Sequence, residues 1–186
     1  MPYVVPLALM GLMLFSPNRA EAKRCAGVTM PDSLEVNGQE LQLNGMGLRE
    51  VSFMNIDVFV AGLYLEEASR SSTSILRSRR LKRIVLHFLR DAPRDRMNDA
   101  FREKFEGAGL QSRFQQFTRL MPEEISEGTE IAMTHLPGEG LEVRVGTRVR
   151  GVVRGDHFAS TFFELFLGSD VEDEDLRDGL LGGDCD

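Results

Sequence analysis

Arg49 is the one arginine in the apolar stretch from Leu41 to Glu66, where it follows Gly45-Met46-Gly47-Leu48. A guanidinium keeps its charge at any physiological pH, and its planar fork matches a carboxylate or an enolate-like pair of oxygens. Beside an apolar pocket it would therefore clamp an anionic ligand. The bland alternatives are a structural pair with a local acid such as Glu50 or Asp57, or extension of the head group to solvent.

Other chemistry-bearing residues point less sharply. His87, His135 and His157 lack metal-ligand spacing, so no metal site is expected, and nothing in the chain asks for a cofactor. Gly45-Met46-Gly47 has neither the third glycine nor the strand-to-helix context of a dinucleotide loop and reads as a turn. The basic run Arg77, Arg79, Arg80, Lys82 and Arg83 reads as a solvated strand entrance, or a contact for an acidic partner. Asp170, Glu172, Asp173, Glu174 and Asp175 have no calcium-loop pattern. They suit the start of a short helix from Glu172 to Leu180, where the helix dipole favours acids.

The elements that must position Arg49 follow from periodicity and turn chemistry. Asn37-Gly38 between two apolar alternations predicts a β-hairpin at the start of the domain. Val51 to Leu65 reads as one long strand, and Leu81 to Leu89 as another with Ile84, Leu86 and Phe88 on one face. Asp91 is placed to cap a helix with Pro93 in its first turn, carrying Met97, Phe101 and Phe105 along one side until Gly107 and Gly109. A second helix is expected from Ser112 to Met121. Strands then follow at Thr129–Thr134, Leu141–Val145 and Arg148–Val153, and a last long helix runs from Asp156 to Gly168 with Phe158, Phe162, Leu165 and Phe166 as its apolar stripe. Such an order predicts an α+β domain, a large antiparallel sheet covered by a helical layer.

Four motifs in order carry a resemblance to a known family: Gly45-Met46-Gly47-Leu48-Arg49, the run ending Gly62-Leu63-Tyr64-Leu65-Glu66, His87-Phe88-Leu89-Arg90-Asp91-Ala92-Pro93, and Phe162 to Gly168 with the acidic run after it. Together they resemble the chalcone isomerase superfamily, in particular its bacterial chalcone isomerase-like branch. The resemblance implies an open-faced β-sandwich with a ligand cleft between the large sheet and the helices. In the isomerases, a fixed arginine stabilises the enolate charge that develops during ring closure. Around it stand a strand threonine, a helical tyrosine and asparagine, and a late hydroxyl.

Counted onto this sequence, the strand threonine becomes Phe59, the late hydroxyl becomes Leu165, and Asp91 to Gly107 contains no tyrosine. Asn98 is the candidate for the helical asparagine, and Arg49 is the retained member of the set. The resemblance thus implies a cleft formed by Arg49, Phe59, Asn98, Phe101, Phe162 and Leu165 that takes a small amphipathic or acidic molecule, a fatty acid or a phenolic. Isomerase catalysis of the intramolecular lyase type is the second reading, with Arg49 as its catalytic residue. A non-catalytic module for an unknown protein partner is the third.

A net charge of −7 argues against a nucleic-acid surface. Residues 1–22 combine an apolar stretch with Pro17 and the small-x-small site Ala20-Glu21-Ala22, which reads as a secretory signal peptide, too short to span a bilayer. Residues 23–186 then form a single domain of ordinary size, periplasmic or secreted, with no stable membrane span after cleavage. Export would permit a disulfide between the two cysteines, Cys25 and Cys185, which lie near opposite ends. The sequence leaves that pairing open. Intact mass of the secreted species should correspond to a chain beginning at Lys23, and a chain retaining Met1 would refute the cleavage assignment.

Overall fold

The computed structural model describes residues 23–51 and 56–185, so the expected signal segment and residues 52–55 of the expected long strand lie outside it. A small hairpin opens the domain, β1 (Lys23–Cys25) against β2 (Val28–Met30). Next come β3 (Ser33–Val36) and β4 (Gln39–Val51), joined at Asn37-Gly38. Both turn residues have positive φ, 53° and 78°, as the Asn-Gly pair requires.

The expected single strand from Val51 to Leu65 is a correction. The first partner strand, β4, ends at Val51, and β5 (Ile56–Leu65) returns antiparallel beside it with Arg49 opposite Phe59. Residues 52–55 contain neither glycine nor proline, so no strong turn signal separated the two strands in the sequence. Gly45-Met46-Gly47 is likewise strand and not turn. Its glycines are required by α5 (Glu174–Leu180), whose backbone lies directly against β4: a Cβ on Gly45 would overlap the Gly179 carbonyl, and one on Gly47 the Leu176 carbonyl.

The main sheet continues through β6 (Lys82–Phe88), β9 (Glu130–Leu136), β10 (Gly140–Val145) and β11 (Arg148–Arg154), giving seven antiparallel strands in the order β11-β10-β9-β6-β5-β4-β3. Both of its faces are covered. Phe59, Ala61, Leu63 and Leu65 alternate toward a helix-side core with Ile84, Leu86 and Phe88. Val60 and Tyr64 point the other way, onto Cys25, Val28 and Met30 of the small hairpin.

The helical layer consists of α1 (Ser72–Arg77), which sequence periodicity did not reveal, α2 (Arg94–Gly107), α3 (Gln111–Leu120), α4 (Asp156–Leu167) and α5. An aromatic stack locks it together: the Phe105 ring lies 5.1 Å from Phe114 and 4.6 Å from Phe158. Met97, the first member of the expected α2 stripe, has a side chain outside the described set. Asp91 does not cap α2. A short bridge, β7 (Ala92–Pro93) with β8 (Glu124–Ile125), precedes the helix instead, and the Asp91 carboxylate accepts from the Glu127 amide at 2.9 Å.

Two of the five residues of the basic run are buried, which corrects the solvated reading for those two, while Arg77, Arg79 and Arg80 are exposed. Lys82 and Arg83 enter a strand covered on both faces and are 2% and 8% exposed. The Lys82 ammonium donates to the Ser78 carbonyl at 2.6 Å and lies 5.6 Å over the Phe163 ring; burial pushes its pKa down to about 8. Arg83 donates to the Thr134 hydroxyl at 2.7 Å, with Glu142 3.5 Å away.

Cys25 and Cys185 are bonded to each other, their Cα atoms 5.7 Å apart, which settles the pairing the sequence left open. The bridge closes a loop across a sequence separation of 160. Loop-closure entropy for a ring that long is worth roughly 5 kcal/mol against the reduced unfolded chain. Urea unfolding with and without reductant should therefore show a clearly lower midpoint for the reduced protein, matched by Cys25→Ser; coincident curves would show the bridge to be energetically silent.

Candidate functional site

Helix α4 repeats its apolar residues at helical spacing and docks on β9, β10 and β11, while α2 packs against α3 and α4. The described side chains of the layer do not fill all of the space beneath it. A cavity of about 1060 Å³ remains between the β4–β6 ends, α2, α4 and the 168–173 connection. Its floor is Val58, Phe59 and Phe88, with the two phenyl rings tilted 5.6 Å apart. Phe101 of α2 and Leu165 and Phe166 of α4 form the apolar wall, and Phe101 packs edge-on against Phe166 at 6.2 Å. Val58, Phe101 and Leu165 are half-buried where they border it.

Arg49 reaches this space because cross-strand partners project to the same face, and its partner is Phe59. The guanidinium is already engaged. One nitrogen donates to Asp173 Oδ2 at 2.9 Å and another to Glu172 Oε2 at 3.4 Å. The side chains of Arg49, Asp173 and Glu172 are 30%, 17% and 81% exposed. Neither Glu50 nor Asp57, the acids named from sequence proximity, pairs with it among the described residues. Asp173 has a second task, since its other oxygen accepts from the Leu176 amide at 2.9 Å and caps α5.

A second cation on the rim is similarly held. Lys104 lies 3.0 Å from Asp170 and 3.6 Å from Glu164. Desolvation works to lower its pKa, but the hydrogen bond and charge of Asp170, with Glu164 beside it, outweigh that and hold it above the usual lysine value. The Lys104 hydrogen bond in turn holds Asp170 below the usual carboxylate range. Arg90, the third cation of the lining, is exposed and has no ion pair among the described residues.

Of the residues expected from sequence, Arg49, Phe59, Phe101 and Leu165 meet at the cavity. Phe162 does not reach it. It is fully buried one layer behind, its ring 6.1 Å from Phe101 and 5.7 Å from Phe117. Asn98 is also absent from the lining; it is buried, and its Oδ1 has no partner among the described residues. Sequence reading missed Thr161 and His157, which line the cavity from α4. The spacing back from Leu165 by one and two helical turns marks both positions. It missed Asp173 as the partner of Arg49, because no local signal links positions 124 residues apart.

Chemically, the arrangement offers an apolar floor, a rim on which Arg49, Lys104 and Arg90 stand among acids such as Asp170 and Asp173, and Thr161 as the one hydroxyl side chain in the described lining. No group of three or more His, Cys, Asp or Glu side chains that could hold a metal occurs among the described residues. No described helix is long and apolar enough to cross a membrane.

A family model described as chalcone isomerase-like matches residues 22–182. No curated protein matches the chain. Among solved structures, a fatty-acid binding protein of Arabidopsis thaliana is similar in fold, with a TM-score of 0.69 and 20% sequence identity, covering 87% of this chain and 96% of that one.

The partial exposure of the Arg49 pair bounds its structural worth. Arg49→Met should lower stability by about 1 kcal/mol, as for other solvent-accessible pairs, well short of the 3 to 5 that breaking a buried bridge costs. Urea unfolding of both proteins checks this, and a loss in the buried range would make Arg49 chiefly a structural residue.

Proposed function

The chain belongs to the chalcone isomerase-like family, and from that premise we propose that it binds a small amphipathic molecule bearing an acid group, a fatty acid or phenolic, in the cleft beside Arg49. The observation that carries this reading is the cavity of about 1060 Å³, with phenyl rings and aliphatic groups at its floor and a guanidinium at its edge. Ligand sites are typically of this kind, large and mostly apolar with a few oriented polar groups. The similarity to a protein described as fatty-acid binding supports the same choice. A tail would lie over Phe59, Phe88 and Phe101, and its carboxylate would meet Arg49.

Binding is favoured over turnover. Ring-closing isomerases rely on donors aimed at developing enolate charge, and here apolar Phe59 and Leu165 stand where the family resemblance places two of the hydroxyl groups. Thr161 alone keeps an isomerase reading open, since it brings a hydroxyl to the cavity from α4. We also propose that the protein is exported with cleavage after Ala22, the support being the apolar leader and a disulfide suited to an oxidising compartment.

Titration with dodecanoate, followed by native mass spectrometry, tests the binding reading. One equivalent should bind, and Leu165→Trp, which fills the cavity from its wall, should weaken affinity by at least about tenfold with little change in unfolding midpoint. Equal affinity in the two proteins would place the ligand elsewhere.

A further inference from the structure

Arg49 borders a ligand-sized cavity, yet its guanidinium is bonded to two carboxylates. One positive charge against two negative ones leaves that corner net negative, and an incoming anion would be repelled unless something yields. We propose that Asp173, assisted by Glu172, is a built-in competitor for the anion position, so that an acidic ligand binds by taking Arg49 from the Asp173 carboxylate. This rests on the ligand reading above.

The geometry suits exchange. The two oxygens of Asp173 are divided between tasks: Oδ1 accepts from the Leu176 amide at 2.9 Å, and Oδ2 accepts from Arg49 at 2.9 Å. Losing Arg49 would therefore leave the α5 cap intact. The released oxygen could be rehydrated, because the Asp173 side chain is 17% exposed and is not sealed in the core. Glu172 is 81% exposed and sits farther away, at 3.4 Å, which makes it the weaker competitor. No comparable release is needed for an uncharged head group, since it would not claim the guanidinium.

The consequence is a filter on ligand class. A small anion brings only charge and must win Arg49 against a carboxylate already tethered beside it, at high effective concentration. An amphiphile adds the burial of its tail over Phe59 and Phe101, which a short acid lacks. The cleft should accordingly select long or bulky acids over acetate-sized ones.

Asp173→Asn isolates this role, because asparagine keeps an oxygen for the α5 cap and loses the charge. Dodecanoate and dodecan-1-ol would be titrated into the parent protein, Asp173→Asn, and Glu172→Gln. Dodecanoate should bind Asp173→Asn about two- to fivefold more tightly, the scale set by losing one partly exposed charge pair. Glu172→Gln should give a smaller gain of the same sign, dodecan-1-ol affinity should stay constant throughout, and adding Arg49→Met should abolish the gain. Unchanged or weaker dodecanoate binding in Asp173→Asn, or an equal gain for the alcohol, would overturn the competition. Binding of neither probe by any of these proteins would instead overturn the ligand reading, and this inference with it.

Discussion

The contact between the backbone of α5 and the two glycines of β4 organises much of this molecule. Gly45 and Gly47 let the short helix lie directly on the strand, at a separation any side chain would forbid. That placement sets Leu176 and Asp173 at one end of the cavity, brings Asp173 within 2.9 Å of Arg49, and delivers the C-terminal residues to Cys25. The glycines thus act on the site without touching it. Any side chain at Gly47 would displace the helix that carries the partner of Arg49.

A second constraint comes from the sheet being covered on both faces. Strict alternation along β5 commits Phe59, Leu63 and Leu65 to the helices and Val60 and Tyr64 to the small hairpin. The helix side is densely packed where Phe105, Phe114, Phe117 and Phe158 stack. Among the described residues it is open where Phe101 and Leu165 border Val58, Phe59 and Phe88. The cleft is therefore space that the described side chains leave beside that aromatic cluster. Concave, largely apolar space of this kind is what small-molecule sites typically offer.

Much of this was legible in the residues. Asn37-Gly38 announced its hairpin, the alternation at Ile84, Leu86 and Phe88 placed β6, and the phenylalanine spacing from Phe158 to Phe166 placed α4. Arg49, Phe59, Phe101 and Leu165 were found as a group through the family resemblance. What failed had physical causes. The β4–β5 reversal had no glycine or proline to mark it, and glycines read as a turn were serving a helix more than a hundred residues later. Phe162 belongs to the same stripe as Leu165, but only three-dimensional packing decides which member meets the cavity and which the core. Lys82 and Arg83 looked solvated because charge usually is, whereas here a carbonyl, a ring and a threonine take the place of water.

The central claim, an acidic amphiphile held between the aromatic floor and Arg49, is tested most directly by a crystal structure of the protein with dodecanoate. The account predicts the alkyl chain over Phe59 and Phe101 and the carboxylate within hydrogen-bond distance of the Arg49 guanidinium, with Asp173 Oδ2 displaced from it. An acyl chain bound elsewhere, or a cleft closed by the protein's own side chains with Arg49 still on Asp173, would contradict it.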